Sequence, residues 1–289
     1  LVLMAASGSK TFCMVGAGNG GVTMAAHLTS LGNVCNLYDV VESQLTPIKE
    51  NNNSVEVEGQ WYNGPIQFNK VTTDLKEAME GADMVISTVP AHIHKFIARD
   101  LAPLLRPGQV IMLHPSRTAG ALEILKVLKD ANCPVIDEIA VCEAQTLLYA
   151  CRRTGTKVHV FATKAEVECA VLPKARSNLF FDIMTPIIPQ FVAGSSMWSI
   201  SMNNIGMLFH PTPTLLNLSR MEAKEDFEYY IDGFTPSLSA LVEKIDAERV
   251  AVAAALGVNI PTCVEWLNKS YGLNGTTLMD TIQSNDGYR

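Results

Sequence analysis

The sequence predicts an α/β domain built on a doubly wound parallel sheet, followed by an all-α domain. From residue 10 to about residue 162, short apolar runs alternate with amphipathic stretches, as in the strand and helix units of a parallel sheet. A glycine-rich turn follows the first apolar run, and the strand signal disappears after about Val192. A length of 289 residues also suits two domains. We place these domains at residues 8–192 and 193–289.

The candidate strands of the first domain have nearly continuous apolar content, which is typical of strands covered on both faces. They are Thr11–Val15, Val34–Tyr38, Met84–Val89, Gln109–Leu113, Val135–Asp137 and Lys157–Ala162. Between the second and third of them, apolar and polar residues alternate over residues 54–69 around an Asn63-Gly64 pair. This alternation predicts a hairpin inserted in the sheet.

Helix signals dominate the second domain. Thr235 followed by Pro236 is a good helix start, and Gly257 is a good stop. The helix between them is predicted to bury one apolar stripe, made of Leu238, Leu241, Val242, Ile245, Val252 and Leu256. Shorter helices are predicted over Cys263–Ser270 and Thr277–Gln283. We expect a small substrate to bind in a cleft between the two domains.

Composition excludes several classes of function. Apolar residues make up 48% of the chain and charged residues 18%, as in a soluble globular protein. The net charge of −7 has the wrong sign for binding nucleic acid or an anionic membrane through the overall field. No stretch approaches the roughly 20 apolar residues of a membrane span. The seven cysteines are never spaced as CxxC, which argues against a disulfide framework and against a metal site, and indicates a cytoplasmic location.

The glycine-rich turn over residues 16–21 points to a dinucleotide. It satisfies GxGxxG, directly follows the first strand and opens an amphipathic helix over Val22–Ser30. Gly16 would permit the tight turn, Gly18 would let the backbone approach a pyrophosphate, and Gly21 would let helix and strand pack closely. The helix N-terminus supplies amides for the phosphates. We therefore predict a Rossmann-type domain whose cofactor-binding residues include Gly16, Gly18, Asn19, Gly20 and Gly21.

Asp39 bears on the choice of cofactor. It ends the second strand, 18 residues after Gly21, near the position where a carboxylate accepts the adenosine ribose hydroxyls. Because a carboxylate there would repel a 2′-phosphate, the sequence favours NAD and leaves NADP as the alternative. Val89 and Pro90 close the Met84–Val89 strand at the edge of the sheet where cofactors lie, and we assign them to the cofactor site. Pro90 could instead only shape the loop.

A histidine marks the second domain. In the segment that ends at His210, Ser199, Asn203 and His210 share one helix face at i, i+4 and i+11 spacing. Pro211 and Pro213 prevent the helix from continuing, so His210 is predicted at or just beyond its C-terminal end. That position favours an imidazolium, which suits a proton donor or a charge partner for a carbonyl oxygen. A histidine that only caps free carbonyls is the alternative.

Segments along nearly the whole chain together resemble the octopine and nopaline dehydrogenase family. They are the turn Gly16–Gly21, EAQTLLYACR from Glu143 to Arg152, Asn203-Asn204 before His210-Pro211, PTLLN from Pro213 to Asn217, Thr235–Ser237, and DAERVAVAAALG from Asp246 to Gly257. The asparagine-to-HisPro segment is the most specific of them. The resemblance implies a Rossmann domain followed by an all-helical domain of the 6-phosphogluconate-dehydrogenase C-terminal type.

The resemblance also implies an activity. Members of this family reductively condense a 2-oxo acid, often pyruvate, with the amino group of an amino acid, using NADH or NADPH. His210 corresponds to the family's catalytic histidine and would polarise the oxo-acid carbonyl. The expected partners are therefore a small 2-oxo acid and an amino acid. The oligomeric state stays open, with a homodimer as one alternative.

Three further residues are assigned to substrate binding. Arg117, just beyond the Gln109–Leu113 strand, would face a carboxylate, with an exposed loop arginine as the alternative. Glu143 falls in a family-like segment expected to face the cleft, where substrate contact and a scaffold role both remain open. Asn203 would orient His210 or the substrate, and a buried helix-packing amide is its alternative.

Two features depart from the family's pattern. The family commonly has threonine after the glutamate, where this chain has Ala144, so oxo-acid recognition is expected to differ here. The family also places an aspartate that pairs with the catalytic histidine, and an arginine that binds a substrate carboxylate, further along the chain than Arg289. We therefore expect that Arg289 is not the natural terminus.

Two other functions compete with this interpretation. The nearest is a 2-oxo-acid reductase of the ketopantoate-reductase or glycerol-3-phosphate-dehydrogenase type, families that resemble each other in using a catalytic lysine from the helical domain. Here the first helix of that domain offers asparagines and His210 but no lysine, which favours the opine interpretation. The other is an NAD-binding protein without turnover.

Overall fold

The computed structural model describes residues 8–285 and residue 288. The chain forms two compact units, Leu1–Ser201 and Met202–Arg289. This division falls later than our boundary after residue 192, because most of the helix Met197–Met202 belongs to the first unit. The boundary at residue 192 stays a prediction. Arg289, on which our expectation about the end of the chain depends, lies outside the described residues.

The described residues contain twelve strands. They are β1 (Thr11–Val15), β2 (Val34–Tyr38), β3 (Ser54–Gly59), β4 (Asn63–Gln67), β5 (Lys70–Thr72), β6 (Met84–Ser87), β7 (Val110–Leu113), β8 (Ala140–Ala144), β9 (Tyr149–Thr154), β10 (Lys157–Thr163), β11 (Val167–Leu172) and β12 (Phe191–Ala193). Eight of them form one sheet in the order β12-β11-β8-β7-β6-β1-β2-β5. All neighbours in this sheet are parallel except β8 and β11, which are antiparallel.

The same part of the chain contains thirteen α-helices. They are α1 (Asn19–Ser30), α2 (Glu42–Glu50), α3 (Leu75–Ala78), α4 (His94–Leu101), α5 (Gly120–Asp130), α6 (Ser177–Ile187), α7 (Met197–Met202), α8 (Gly206–Phe209), α9 (Pro211–Leu216), α10 (Leu218–Glu222), α11 (Pro236–Ala255), α12 (Cys263–Tyr271) and α13 (Leu278–Gln283). None of the helices described is both long and apolar enough to cross a membrane.

The main sheet buries both of its faces, as the apolar runs predicted. Along β1, Phe12 and Met14 belong to one apolar cluster, and Cys13 and Val15 belong to the other. Each run therefore consists of two alternating sets of side chains, one for each face. The predicted doubly wound parallel sheet, followed by helices, is confirmed.

Two predicted strands were placed wrongly. Val135–Asp137 is a turn, and the next parallel strand is β8, in which all five residues are buried. Asp137 is exposed, so that segment lacks the apolar cover on both faces that a central strand needs. Lys157–Ala162 is a strand, but it lies in a second sheet of order β4-β3-β10-β9.

The predicted hairpin exists, but it belongs to this second sheet and its turn lies elsewhere. The chain reverses between Gly59 and Asn63, and Asn63-Gly64 forms the start of β4. The side-chain amide of Asn63 accepts from Gly59 N and donates to Gly59 O, both at 3.1 Å. The asparagine therefore closes the hairpin with its side chain, and the turn precedes the Asn-Gly pair.

The long helix of the second unit begins and ends as predicted. Thr235 caps α11 by accepting from Leu238 N, Pro236 occupies its first turn, and Gly257 follows it at φ +76°. The buried stripe differs from the prediction, because Leu241, Val252 and Leu256 are 40–51% exposed. Polar side chains share the buried face, which carries Leu238, Ser239, Val242, Asp246, Arg249 and Ala253.

Candidate cofactor and active site

The glycine-rich turn follows β1 and needs glycine at two positions for steric reasons. Gly16 has φ +104°, a conformation that residues with a side chain rarely adopt. A Cβ atom added to Gly21 would lie 1.8 Å from Gly16 O and 2.7 Å from Thr88 Oγ1. Strand and helix can approach this closely only because residue 21 has no side chain.

The start of α1 suits a pyrophosphate. A Cβ atom added to Gly18, the helix N-cap, would meet no described atom within 4 Å, so the backbone is open to a ligand. No described side chain caps this helix, and its first turn holds no acidic residue. Free helical amides and the partial positive charge of the N-terminus together favour an anion. The residues present therefore fit a dinucleotide.

Asn19 and Gly20 both contact other parts of the first unit. Asn19 Oδ1 accepts from Arg153 N of β9 at 2.9 Å. The side chain of Leu147 covers Gly20, since an added Cβ atom there would lie 2.9 Å from Leu147 Cδ1. The side-chain oxygen of Asn19 thus holds β9 against the turn.

Asp39 lies directly after β2 with a half-buried side chain. Its Oδ2 accepts from Ala17 N at 2.7 Å, and its Oδ1 accepts from Val41 N at 2.9 Å. Each carboxylate oxygen has a second lone pair, so these two bonds leave capacity for ribose hydroxyls. The aspartate also holds the peptide between Gly16 and Ala17 in place.

Val89 lies at the edge of the sheet where β1 and β6 end, beside the turn. Its Cγ1 atom lies 3.0 Å from a Cβ atom added to Gly16, and Pro90 follows it at the start of a short turn before α4. The structure therefore brings Gly16, Asp39 and Val89 together at the ends of three neighbouring strands, where a dinucleotide binds in this fold.

Glu143 is fully buried in β8, at the carboxyl end of a central strand. Its Oε1 accepts from Ala121 N of α5 at 2.7 Å, and its Oε2 accepts from Ser201 Oγ of α7 at 2.9 Å. Burial raises the pKa of this carboxyl from 4.5 to about 7, although both hydrogen bonds act in the opposite direction. This carboxyl therefore gains and loses its proton near neutral pH.

Ser201, which contacts Glu143, is a residue that the sequence analysis missed. Its hydroxyl donates to Glu143 and accepts from Ala119 N at 2.9 Å, and its carbonyl accepts from Thr118 Oγ1 at 3.2 Å. Arg117 lies in the same loop as Thr118 and Ala119. It is exposed and has φ +64°. The exposed guanidinium suits both of the roles we predicted, a carboxylate contact and an ordinary loop arginine.

The helix predicted to end at His210 is broken. Asn203 and Asn204 interrupt it between α7 and α8, so Ser199 and His210 do not share a helix face. Asparagine side chains compete with the helix for backbone hydrogen bonds, which explains the break. Asn203 is half-buried.

His210 lies between two short helices of the second unit with an exposed side chain. It follows α8 and is also the N-cap of α9, whose first residue is Pro211. Its carbonyl accepts from Thr214 N at 3.1 Å and from Tyr229 Oη at 3.0 Å. The structure thus places His210 at the C-terminal end of α8, as predicted, and also at the N-terminal end of α9. That this position favours an imidazolium stays a prediction.

The second sheet was the main feature that the sequence analysis missed at this site. Arg153 of β9 reaches the glycine-rich turn, where its Nη1 donates to Ala17 O at 2.5 Å. The sequence of β9, YACRRT, has no alternation of apolar and polar residues that would predict this strand, and its alternating burial appears only in the structure.

Comparisons with known proteins agree with this geometry. Residues 193–289 match the family described as NAD/NADP octopine/nopaline dehydrogenase, alpha-helical domain. Residues 11–136 match the family described as NAD-dependent glycerol-3-phosphate dehydrogenase N-terminus. The first match covers the helical part of the chain, and the second lies in the part with the parallel sheet.

Two curated relatives cover most of the chain. An opine dehydrogenase from Arthrobacter sp. (strain 1C) is 36% identical over 283 residues, which are 97% of this chain and 77% of that protein. The protein ocs of Agrobacterium tumefaciens (strain Ach5) is 28% identical, over 95% of this chain and 76% of that protein. The first similarity is strong enough, over enough of both chains, to show the family.

Solved structures of similar fold confirm the architecture. An octopine dehydrogenase in complex with NADH and agmatine matches with a TM-score of 0.76 at 18% identity, over 97% of this chain and 75% of that one. A PanE/ApbA family ketopantoate reductase from Ralstonia eutropha matches with a TM-score of 0.61 at 16% identity, over 94% and 84%. The fold is thus shared by both enzyme types that we predicted, and sequence identity decides between them. The chain belongs to the opine dehydrogenase family of NAD(P)-dependent oxidoreductases.

Proposed function

We propose that this protein reductively condenses a pyruvate-like 2-oxo acid with the amino group of an amino acid, using NADH. The observation that carries the proposal is the 36% identity with the Arthrobacter opine dehydrogenase over 97% of the chain. Structures of octopine dehydrogenase with NADH and L-arginine, and with NADH and pyruvate, share the fold and support the same substrate classes here. Both substrates are small molecules, in keeping with a chain of net negative charge.

The preference for NADH over NADPH rests on Asp39. Its carboxylate lies at the end of β2 and is held by Ala17 N and Val41 N. A 2′-phosphate would bring two negative charges close together there, whereas ribose hydroxyls would donate to the carboxylate. NADPH remains the second cofactor to test.

In this proposal His210 is the catalytic residue. Its imidazole polarises the oxo-acid carbonyl and transfers protons while the amine adds and water leaves. Asn203 orients the imidazole or the substrate, and Arg117 binds a carboxylate through its exposed guanidinium. Glu143 accepts hydrogen bonds from Ala121 N and Ser201 Oγ, next to the loop that carries Arg117, and so supports the substrate-binding part of the site. When bound, the nicotinamide supplies hydride to the imine carbon.

The free cysteines support a cytoplasmic location for this reaction. All seven are free, and six of them are buried. Thiols of this kind persist in a reducing compartment. Disulfide-linked protein isolated from its source would contradict that location.

The activity is tested by an NADH and NADPH oxidation screen of pyruvate against a panel of amino acids, with the product mass recorded. We expect one or more pairs to exceed the amine-free control and to give the mass of a secondary amine. If no pair exceeds that control, the opine proposal fails. Reduction of the oxo acid without amine indicates a 2-oxo-acid reductase, and binding of NADH without any turnover indicates a non-catalytic protein.

The role of His210 is tested by His210→Ala. We expect kcat to fall by about 10²- to 10⁴-fold, the usual contribution of a general acid–base, while the Kd for NADH stays near that of the wild type. His159→Ala is the matched control, since His159 is exposed on β10, and its kcat should be unchanged. Full activity in His210→Ala would remove His210 from the catalytic role.

A further inference from the structure

One side chain of the second sheet connects the glycine-rich turn with helix α2. The guanidinium of Arg153 donates from Nη1 to Ala17 O at 2.5 Å, from Nη2 to Gln44 O at 2.7 Å and from Nε to Gly155 O at 2.7 Å. Ala17 lies in the turn after β1, and Gln44 lies in α2, the helix after β2. This turn and this helix flank the adenosine half of a dinucleotide in this fold.

The main chain of Arg153 contacts the same turn. Its N–H donates to Asn19 Oδ1 at 2.9 Å. The side chain and backbone of this one residue therefore hold residues 17 and 19, and Gly18 lies between them. A planar guanidinium with fixed donor directions is well suited to hold backbone carbonyls in one geometry.

Ala17 is held from two sides by opposite charges. Asp39 Oδ2 accepts from Ala17 N at 2.7 Å, while Arg153 binds Ala17 O. In a trans peptide the N–H of Gly18 points opposite to the C=O of Ala17. The bond to Arg153 therefore directs Gly18 N–H away from the guanidinium.

The surroundings of the turn favour an anion. Within the described residues, the space beside Gly18 is open and the first turn of α1 has no acidic residue. Burial lowers the pKa of the half-buried Arg153, and the Asp39 carboxylate opposes that shift. A cation fixed at this point adds to the positive end of α1.

We propose that Arg153 is a positioning residue for the cofactor, which aims Gly18 N–H at the pyrophosphate of the dinucleotide. The proposal rests on the proposed function only in taking NAD(H) as the ligand. Because NADH and NADPH share the pyrophosphate, Arg153 acts equally on both. It contributes to binding the cofactor and not to the chemical step.

The test measures the Kd for NADH and for NADPH by cofactor fluorescence, without substrates. Arg153→Met keeps a long unbranched side chain and removes the charge and the donors. We expect both Kd values to rise together by about 10- to 100-fold, as for loss of a hydrogen bond to a charged group. At saturating NADH, kcat should stay within about twofold of the wild type, since the interaction is the same in ground and transition states.

Arg152→Met is the matched control, because Arg152 is the exposed neighbour on β9, with its side chain on the other face of the strand. Its Kd values should equal those of the wild type. An unchanged Kd in Arg153→Met, an equal loss in Arg152→Met, or a loss confined to NADPH would each overturn the proposal; the last would assign Arg153 to a 2′-phosphate instead.

A second variant covers the case in which Arg153→Met does not fold. Arg153→Lys retains the charge but cannot hold Ala17 O and Gln44 O at once, so an intermediate Kd with a wild-type melting temperature is expected. Wild-type affinity in this variant contradicts the positioning role. If the wild type binds NADH but turns over no substrate pair, the proposed function fails and the proposal for Arg153 stands.

Discussion

Two buried carboxylates, one in each unit, are stabilised in opposite ways. In the second unit, Asp246 of α11 pairs with Arg249 one turn later, at 2.7 Å from Nη2 and 2.8 Å from Nε. The other Asp246 oxygen accepts from Cys263 N at 2.6 Å. The guanidinium also donates to the carbonyls of Met202 and Pro261, so both charges are fully engaged.

In the first unit, Glu143 of β8 is as inaccessible as Asp246 but is held by neutral donors. The amide of Ala121 and the hydroxyl of Ser201 each supply one hydrogen bond. Burial raises its pKa to about 7, and these two hydrogen bonds offset only part of that shift. The difference separates two uses of a buried carboxylate: Asp246 forms an ion pair within the second unit, whereas Glu143, with neutral donors, has a pKa raised to near neutrality.

The largest expected effect comes from breaking the ion pair. Arg249→Leu leaves the Asp246 carboxylate buried without its cation and frees two backbone carbonyls. We expect the free energy of unfolding to fall by about 3–5 kcal/mol, the usual result of removing one partner of a buried pair. Urea denaturation at pH 7 measures it.

The control for this variant is an exposed pair. Lys126 and Asp130 lie 2.6 Å apart on α5 with side chains more than 60% exposed. Lys126→Ala should therefore cost no more than about 0.5 kcal/mol. Equal losses in the two variants would show that burial of Asp246 does not matter.

A second effect should appear in the pH dependence of stability. The folded pKa of Glu143 is raised, so the folded chain binds this proton more tightly than the unfolded chain does. The resulting stability is complete below about pH 4.5 and is lost as the pH rises through 7, a total of about 3 kcal/mol. Glu143→Gln cannot ionise and should lack this loss.

The measurement is the free energy of unfolding from pH 5 to pH 8 for the wild type and Glu143→Gln. Other groups titrate in the same range: burial lowers the pKa of His27 to about 4 and that of His114 to about 3, and their contributions are lost as the pH falls below 6.5. The difference between the two proteins isolates Glu143. Parallel pH profiles would mean that Glu143 does not titrate there.

The smallest effect should come from Ser201→Ala. This change removes one hydrogen bond that stabilises the ionised Glu143 and leaves Ala119 N without that acceptor. We expect a loss of about 1–2 kcal/mol and a further rise in the pKa of Glu143. Urea midpoints at several pH values report both, and Ser219→Ala, on the exposed side of α10, should be neutral. A pH profile identical to that of the wild type would exclude coupling between Ser201 and Glu143.

Elements with a local signal were predicted well. β1, β2 and the long helix α11 have the expected bounds within one or two residues, because an apolar run or a Thr-Pro start depends on neighbours in the chain. Val135–Asp137 and the Asn63-Gly64 turn failed for the converse reason. Val135–Asp137 is not a strand because Asp137 is exposed. The turn precedes Asn63 because the Asn63 side chain bonds to Gly59, and the local sequence pattern reports neither feature.

The candidate site shows the same division. The roles of Gly16 and Gly21 follow from φ and from contact within a six-residue turn, so the motif was enough to predict them. The position of His210 was predicted only in part, since Pro211 ends one helix but also starts the next. Asn19 was assigned to the cofactor, whereas its side-chain oxygen binds β9.

Residue types and short spacings thus sufficed for the fold class and the dinucleotide motif, because these depend on interactions within a turn, a strand or a helix. The family followed from the resemblance of sequence segments along the chain. The partners of the charged groups depended on folding. Arg153 and Ala17 are 136 positions apart, and Glu143 and Ser201 are 58 apart. Whether a buried charge finds a cation, a neutral donor or a backbone carbonyl is determined by which strands and helices pack together, and at such separations no local pattern reports that packing.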